Sequence, residues 1–72
     1  MIYQRYKKTD VFIMIDNESS KYYAKNLHTH LYTSLYDKLD DLRDDLRLNR
    51  CIWIDLSKHI SLLLKARGSI FS

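Results

Sequence analysis

The chain has 72 residues and a net charge of +3, from 12 Lys and Arg against 9 Asp and Glu. This length predicts a single domain, residues 1–72, and is too short for a usual cofactor-binding enzyme domain. Hydrophobic residues make up 46% of the chain, which is too apolar and too weakly charged for a disordered protein. The composition therefore predicts one small folded domain that holds no cofactor.

Cysteine content and hydropathy predict the cellular location of the protein. The single cysteine, Cys51, cannot form an internal disulfide. This argues against a secreted protein that is stabilised by disulfides and favours a reducing, cytoplasmic location. The first apolar run, residues 11–15, is far shorter than the ~18 residues of a membrane span. Domains of this size have marginal cores, so we expect a protein partner or a second copy to stabilise this one.

The first predicted elements are two strands of a hairpin, Ile2–Lys7 and Val11–Ile15, separated by the polar segment Lys7–Asp10. The second strand is apolar on both faces. That pattern is typical of a strand inside a sheet that is covered on both sides.

A long helix is predicted for residues 19–49. The segment Asp16–Ser19 supplies capping side chains, and no Gly or Pro follows before Arg50. Apolar residues recur every three or four positions and fall within about 120° of one another on a helix: Ala24, Leu27, Leu31, Leu35, Leu39, Leu42 and Leu46. Such a helix is ~45 Å long, so we expect it to project beyond the sheet or to kink near His28–His30.

The remaining predicted elements are a third strand, Cys51–Asp55, and a second helix, Leu56–Arg67, which is capped by Asp55 or Ser57 and ended by Gly68. The order β-β-α-β-α predicts an α+β fold: a three-stranded, mainly antiparallel sheet packed with one long and one short helix. An all-helical alternative, with residues 51–67 in one helix, remains open.

The predicted long helix carries the candidate protein interface. Tyr22 and Tyr23 lie off its Leu stripe and Tyr32 and Tyr36 flank it, and tyrosine is enriched at interfaces. For Tyr32 and Tyr36 the alternative is that their rings widen the core stripe, whereas Tyr22 and Tyr23 are harder to explain as core. Opposite the stripe lies an acidic face, formed by Asp37, Asp40, Asp41 and Asp44. It is either a docking stripe for a basic partner or a solvated face paired with neighbouring arginines.

The second predicted helix has a broad apolar arc. Leu56, Ile60, Leu63 and Leu64 share one side, while Leu62 lies well off it. A helix that is apolar over most of its girth is buried on several sides. The alternative is that Leu62 faces a protein partner.

Residues 56–70, LSKHISLLLKARGSI, resemble the recognition helix of winged-helix repressors of the arsenic-sensor type, on a Ser-x-His pattern followed by leucines, a Gly and a β-branched residue. In that family this helix enters the major groove of DNA. The resemblance implies that four polar residues would face the DNA and that Arg67 would lie near its backbone. These four are Ser57, Lys58, Ser61 and Lys65.

No motif for catalysis or metal binding is present: there is no phosphate loop, and His28 and His30 are spaced so that one helix cannot bring them together. We therefore expect no enzyme activity, no metal, no small-molecule substrate and no membrane association. The sequence favours a small non-enzymatic protein-binding module of the accessory kind that viruses and mobile elements encode. It would act as a regulator, inhibitor or assembly subunit by docking on a larger protein or by self-association. The alternative is a small DNA-binding transcriptional regulator that reads DNA with residues 57–67.

Overall fold

The computed structural model describes residues 2–7 and 9–68. Seven elements follow in chain order: β1 (Ile2–Arg5), β2 (Val11–Asp16), β3 (Lys21–Asn26), β4 (Leu31–Thr33), α1 (Leu39–Arg47), β5 (Trp53–Ile54) and α2 (Leu56–Ala66). The strands form one antiparallel sheet in the order β1-β2-β3-β4-β5. The protein is therefore a small α+β domain with an antiparallel sheet and two helices, as the sequence predicts.

The N-terminal hairpin is confirmed. β1 pairs with β2, and β2 also pairs along its whole length with β3, from Val11 opposite Asn26 to Asp16 opposite Lys21. The apolar second strand thus lies inside the sheet. Lys8, which belongs to the predicted polar break, lies outside the described residues.

The two helices lie against opposite faces of the sheet. Neighbouring residues of a strand point to opposite faces. Ile13 and Ala24 point to one face, where they form a fully buried cluster with Leu42 of α1. Tyr23 points to the other face, where its ring contacts His59 of α2. We call these the α1 face and the α2 face; the sheet is covered from both sides, as the apolar pattern of β2 requires.

The prediction of a long helix over residues 19–49 is wrong. That segment contains β3 and β4, and only nine of its residues form a helix, α1. The predicted three-stranded sheet is wrong for the same reason, because the sheet has four strands of three to six residues plus the two-residue β5. Leu27 belongs to no buried helix face but to a turn, and it is 45% exposed.

Two similar turns interrupt the predicted helix without glycine or proline. Asp16 Oδ2 accepts a hydrogen bond from the Ser19 N–H at 3.3 Å, and Asn26 Oδ1 accepts one from the N–H two residues later at 2.9 Å. Ser20 (φ 58°) and His30 (φ 60°) end the two turns in the left-handed region. Asp and Asn side chains favour turns in this way. The predicted kink at His28–His30 is therefore a hairpin turn.

The C-terminal elements are confirmed. β5 lies within the predicted strand 51–55, and α2 begins after Asp55, whose side chain accepts the N–H of Lys58 at 2.9 Å. Gly68 follows the helix with φ +77°, a conformation that glycine adopts without strain. The all-helical alternative for residues 51–67 is therefore wrong.

The side of α2 that faces the sheet differs from the predicted apolar arc. Leu56 and Ile60 are 52% and 45% exposed, whereas His59 is 2% exposed. The expectation that Leu56 and Ile60 belong to a buried arc is therefore wrong. The helix is rotated so that His59 meets the sheet, while Leu63 and Leu64 of the predicted arc are partly buried.

Candidate functional site

An aromatic cluster holds the middle of α2 on the sheet. The His59 ring lies 4.1 Å from the Tyr32 ring and 4.4 Å from the Tyr23 ring, measured between centroids. His59 Nδ1 is buried and has no hydrogen-bond partner among the described residues. Burial lowers the pKa of His59, and the Arg67 charge lowers it further while Asp16 opposes the shift. The imidazole is therefore neutral near pH 7.

An ion pair holds the end of α2. Arg67 donates from Nε to Asp16 Oδ2 at 3.0 Å, and its Nη2 donates to Asp16 Oδ1. The Ser19 hydroxyl donates to the same carboxylate at 2.6 Å. Hydrogen bonds from Arg67 and then from Ser19, against the effect of burial, lower the pKa of Asp16 to about 2. The C-terminal end of α2 is thereby tied to the end of β2.

With this orientation, α2 presents an apolar row at the surface, formed by Leu56, Ile60 and Leu64; we call it the α2 stripe. The three residues are one helical turn apart, and Leu64 is partly buried. Exposed Ser57 and Ser61 border the stripe. The stripe carries no charge of its own.

The polar residues that the winged-helix resemblance implies for DNA lie together on α2. Ser57, Lys58, Ser61 and Lys65 are all exposed. Arg67 is bonded to Asp16 instead. Among residues 9–68, the element before α2 is β5 and not a helix, so the helix–turn–helix implied by the resemblance is not present there. Residues 69 and 70 of the resemblance lie outside the described part.

The four tyrosines of the predicted protein interface are divided between the two faces of the sheet. Tyr22 and Tyr36 exchange backbone hydrogen bonds of 2.8 and 2.7 Å and pack against the core on the α1 face. Tyr23 is 8% exposed on the α2 face, and Tyr32 is partly buried under His59. The sheet therefore divides between its two faces four rings that the prediction assigned to a single helix.

The four aspartates of the predicted acidic face are exposed at α1 or just before it. Asp37 forms an ion pair with Lys21, and Asp44 pairs with Arg47 at 3.3 Å. Asp40 and Asp41 lie in the first turn of α1, where carboxylates stabilise the helix dipole. Leu62 is partly buried and lines a shallow cleft of about 390 Å³ together with Lys21, Asp37 and Lys65.

A second cleft, of about 290 Å³, lies at the C-terminal end of α1. Its apolar lining consists of Tyr6, which follows β1, Val11 of β2, Leu46 of α1 and Trp53 of β5. Its polar lining includes Asn26, Asp45, Asn49 and Cys51. We call it the Asp45 cleft.

The polar side of the Asp45 cleft is a short hydrogen-bonded chain. The Tyr36 hydroxyl donates to Asp45 Oδ2 at 2.6 Å and lies 3.8 Å from Cys51 Sγ. Burial and the bond to Asp45 raise the pKa of Tyr36 above its usual range. Burial also raises the pKa of the Cys51 thiol. Cys51 is thus a neutral thiol, and the charge of the cleft is the Asp45 carboxylate.

The sequence assigns no function to Asp45, Asn49 or Trp53, because the cleft is assembled from segments that are distant along the chain. The α2 stripe does have a local signal, the four-residue spacing of Leu56, Ile60 and Leu64. That spacing predicts a core-facing side, although spacing alone does not tell which side of a helix meets the sheet.

The chain matches no protein-family model, and it has no significant similarity to a curated protein or to a solved structure. In the part of the chain that the structure describes, no group of three His, Cys, Asp or Glu side chains is placed to hold a metal ion. Neither helix of that part is long and apolar enough to cross a membrane.

Proposed function

We propose that this protein is a non-enzymatic protein-binding module that self-associates through the α2 stripe. The observation that carries the proposal is the exposure of Leu56 (52%) and Ile60 (45%), one turn apart on the same helix. The buried hydrophobic residues of the described chain are few by comparison: Ile13, Tyr23, Ala24 and Leu42. Burial of the stripe against a second copy would add apolar surface that so small a core lacks.

The stripe is complementary to itself. Leu56 and Leu64 each lie four residues from Ile60, so a two-fold axis at Ile60 sets Leu56 of one protomer beside Leu64 of its partner when the helices are antiparallel. Ser57 and Ser61, which border the stripe beside Leu56 and Ile60, are small and uncharged, and this permits close approach of two helices at the centre of the interface. Lys65 continues this border beside Leu64, five residues from the two-fold axis at Ile60, so in an antiparallel pair the two Lys65 side chains lie at opposite ends of the interface.

A matched pair of variants tests the proposal. Ile60→Asp places a charge in the proposed interface, and Leu27→Asp places the same charge at a residue that is also 45% exposed but lies in the β3–β4 turn. We expect the wild type and Leu27→Asp to form dimers. We expect Ile60→Asp to weaken dimerisation by at least ~100-fold, since each interface would bury two unpaired carboxylates. Light scattering across a concentration series measures the masses.

Circular dichroism of both variants checks that the fold is kept. A wild type that stays monomeric at high concentration would contradict self-association. In that case, a different protein that binds the wild type and Leu27→Asp but not Ile60→Asp would assign the stripe to a larger partner.

A second candidate function is DNA binding through the exposed row of Ser57, Lys58, Ser61 and Lys65, which together present hydroxyls and two positive charges along α2. So few phosphate contacts predict weak, salt-sensitive binding unless a dimer doubles them. Fluorescence anisotropy with a labelled duplex tests it. Two results would argue against this candidate. One is that the wild type does not bind DNA at low salt, and the other is that the double variant Lys58→Glu with Lys65→Glu binds as well as the wild type.

A further inference from the structure

The Asp45 cleft combines aromatic rings with one carboxylate. Tyr6 and Trp53 supply the rings, and Asp45 is the one charged residue among the described residues that line it. The cleft also lies at the C-terminal end of α1, which carries the negative end of the helix dipole. A cleft of this kind favours a cation even though the whole chain has a net charge of +3.

We propose that the Asp45 cleft binds a primary alkylammonium group, with the ammonium at the Asp45 carboxylate and the alkyl chain against Tyr6 and Trp53. This site is independent of the proposed self-association, because it lies on the α1 side of the molecule and the stripe lies on α2. Either property can fail without the other.

Three features of the cleft fit an alkylammonium group. The faces of aromatic rings attract cations, and the ammonium of Lys7, which does not line the cleft, already lies 5.2 Å from the centroid of Tyr6. Asp45 keeps acceptor capacity beyond the Tyr36 hydroxyl, since a carboxylate offers about four lone-pair sites. Because the Cys51 thiol is neutral, Asp45 is the single negative charge of the cleft, and a ligand with one positive charge balances it.

The size of the cleft fits a small ligand. Its volume of about 290 Å³ is at the lower end of the range for ligand pockets. It accommodates a free amine or the side chain of a lysine from another protein. Both present the same group to Asp45, so the chemistry is shared and the source is a matter for experiment.

Trp53, the only tryptophan of the chain, reports directly on the cleft. We expect n-butylammonium chloride to change its fluorescence in a saturable way, with a dissociation constant of about 1 mM, as for a ligand of so few atoms. Two control ligands are titrated at the same ionic strength: n-butanol, which has the alkyl chain without a charge, and sodium butyrate, which has the opposite charge. We expect the alcohol to bind at least ~10-fold more weakly and butyrate not to bind.

Asp45→Asn is the decisive variant, because the amide oxygen still accepts the Tyr36 hydroxyl while the charge is lost. We expect it to bind n-butylammonium at least ~10-fold more weakly. Asp44→Asn, at an exposed residue paired with Arg47, removes the same charge one residue away and should bind like the wild type. An unsaturable wild-type titration, or equal binding by Asp45→Asn and the wild type, would overturn the proposal.

The two sources are distinguished by a peptide. The blocked tripeptide Gly-Lys-Gly is titrated beside n-butylammonium, with its acetyl-lysine form as the control. Peptide binding at least ~10-fold tighter than that of the amine indicates a lysine side chain. Equal or weaker binding indicates a free amine, and both outcomes support an alkylammonium site. Binding of the acetylated peptide as tightly as the unmodified one would contradict it.

Discussion

The imidazole of His59 lies parallel to the ring of Tyr32, with 4.1 Å between ring centroids and 8° between ring planes. This stack and the contact with Tyr23 fix the rotation of α2 on the sheet. Because His59 points inward, Leu56 and Ile60 point away from the core and remain exposed. The surface proposed for self-association is therefore a consequence of how one histidine is packed.

The stability of the fold should fall as the pH falls below 6.5. The pKa of His59 is below 6.5 in the folded protein, because burial disfavours the charged imidazole. The unfolded chain therefore takes up the proton first, so this contribution to stability is complete above pH 6.5 and is lost as the pH falls towards the folded pKa. Urea unfolding at pH 7.5, 6.5 and 5.5 measures the free energy of unfolding.

His59→Phe keeps an aromatic ring in the stack and removes the titrating group, so we expect it to weaken this pH dependence. His28→Gln, at an exposed residue of the β3–β4 turn, should leave it unchanged. The same slope in wild type and His59→Phe would show that His59 is not responsible.

Arg67→Gln should destabilise the fold at pH 7 by more than the ~0.5 kcal/mol that is typical of a surface substitution. Arg67 is the main cause of the lowering of the Asp16 pKa from 3.8 to about 2, and its loss leaves the buried Asp16 carboxylate with the Ser19 hydrogen bonds but without its ion-pair partner. The contribution is present above pH 3.8 and is lost as the pH falls to about 2. Acid titrations followed by circular dichroism should therefore show a smaller loss between these pH values in the variant.

Lys65→Gln is the matched control for this charge, because Lys65 is exposed and near the same end of α2. Its effect should lie within about 0.5 kcal/mol of the wild type. Equal stabilities of Arg67→Gln and Lys65→Gln would mean that the Asp16–Arg67 pair does not hold α2 in place.

Thr33→Val should cost about 1–3 kcal/mol. Thr33 is fully buried, and its hydroxyl accepts the N–H of Ala24 at 2.9 Å and donates to the carbonyl of Ser34. Valine keeps the shape but leaves the Ala24 N–H without an acceptor. Thr33→Ser retains the hydroxyl and should recover most of the loss in urea unfolding; if Thr33→Ser is as unstable as Thr33→Val, the hydrogen bond is not the cause.

Leu42→Ala should cost about 2–5 kcal/mol, because Leu42 is fully buried and packs in the core with Ile13 and Ala24. Leu48→Ala makes the same change at a residue that is 47% exposed just after α1, and it should cost less than about 1 kcal/mol. Comparable losses in thermal unfolding would contradict the placement of α1 on the sheet.

Local signals in the sequence were sufficient to predict the N-terminal hairpin and the C-terminal helix. The hairpin of β1 and β2 follows from a polar break between apolar runs, and α2 follows from Asp55 before it and Gly68 after it. The middle was predicted wrongly because its leucine spacing fits a helix. The structure of this segment is determined by strand pairing with β2 and by two turns that end at Ser20 and His30 in the left-handed region. Because these turns contain no glycine or proline, the sequence carries no obvious signal for them.

The candidate sites depend on contacts between distant residues. Asp16 and Arg67 are 51 residues apart, and this pair helps to set which side of α2 faces outward. Tyr6 and Trp53 of the Asp45 cleft come from opposite ends of the sheet order. The sequence therefore supplied the residues of the α2 stripe, but long-range packing determined that they are exposed.

Disulfide cross-linking at Ile60 is the most direct test of self-association. Ile60→Cys is made with Cys51→Ser, so that each chain has one thiol; Leu27→Cys with Cys51→Ser is the control at equal exposure. If two α2 helices pack antiparallel about Ile60, the paired thiols meet at the two-fold axis and mild oxidation gives a covalent dimer quickly and almost completely. Cross-linking of Ile60→Cys that is no faster than that of Leu27→Cys would contradict the proposed interface.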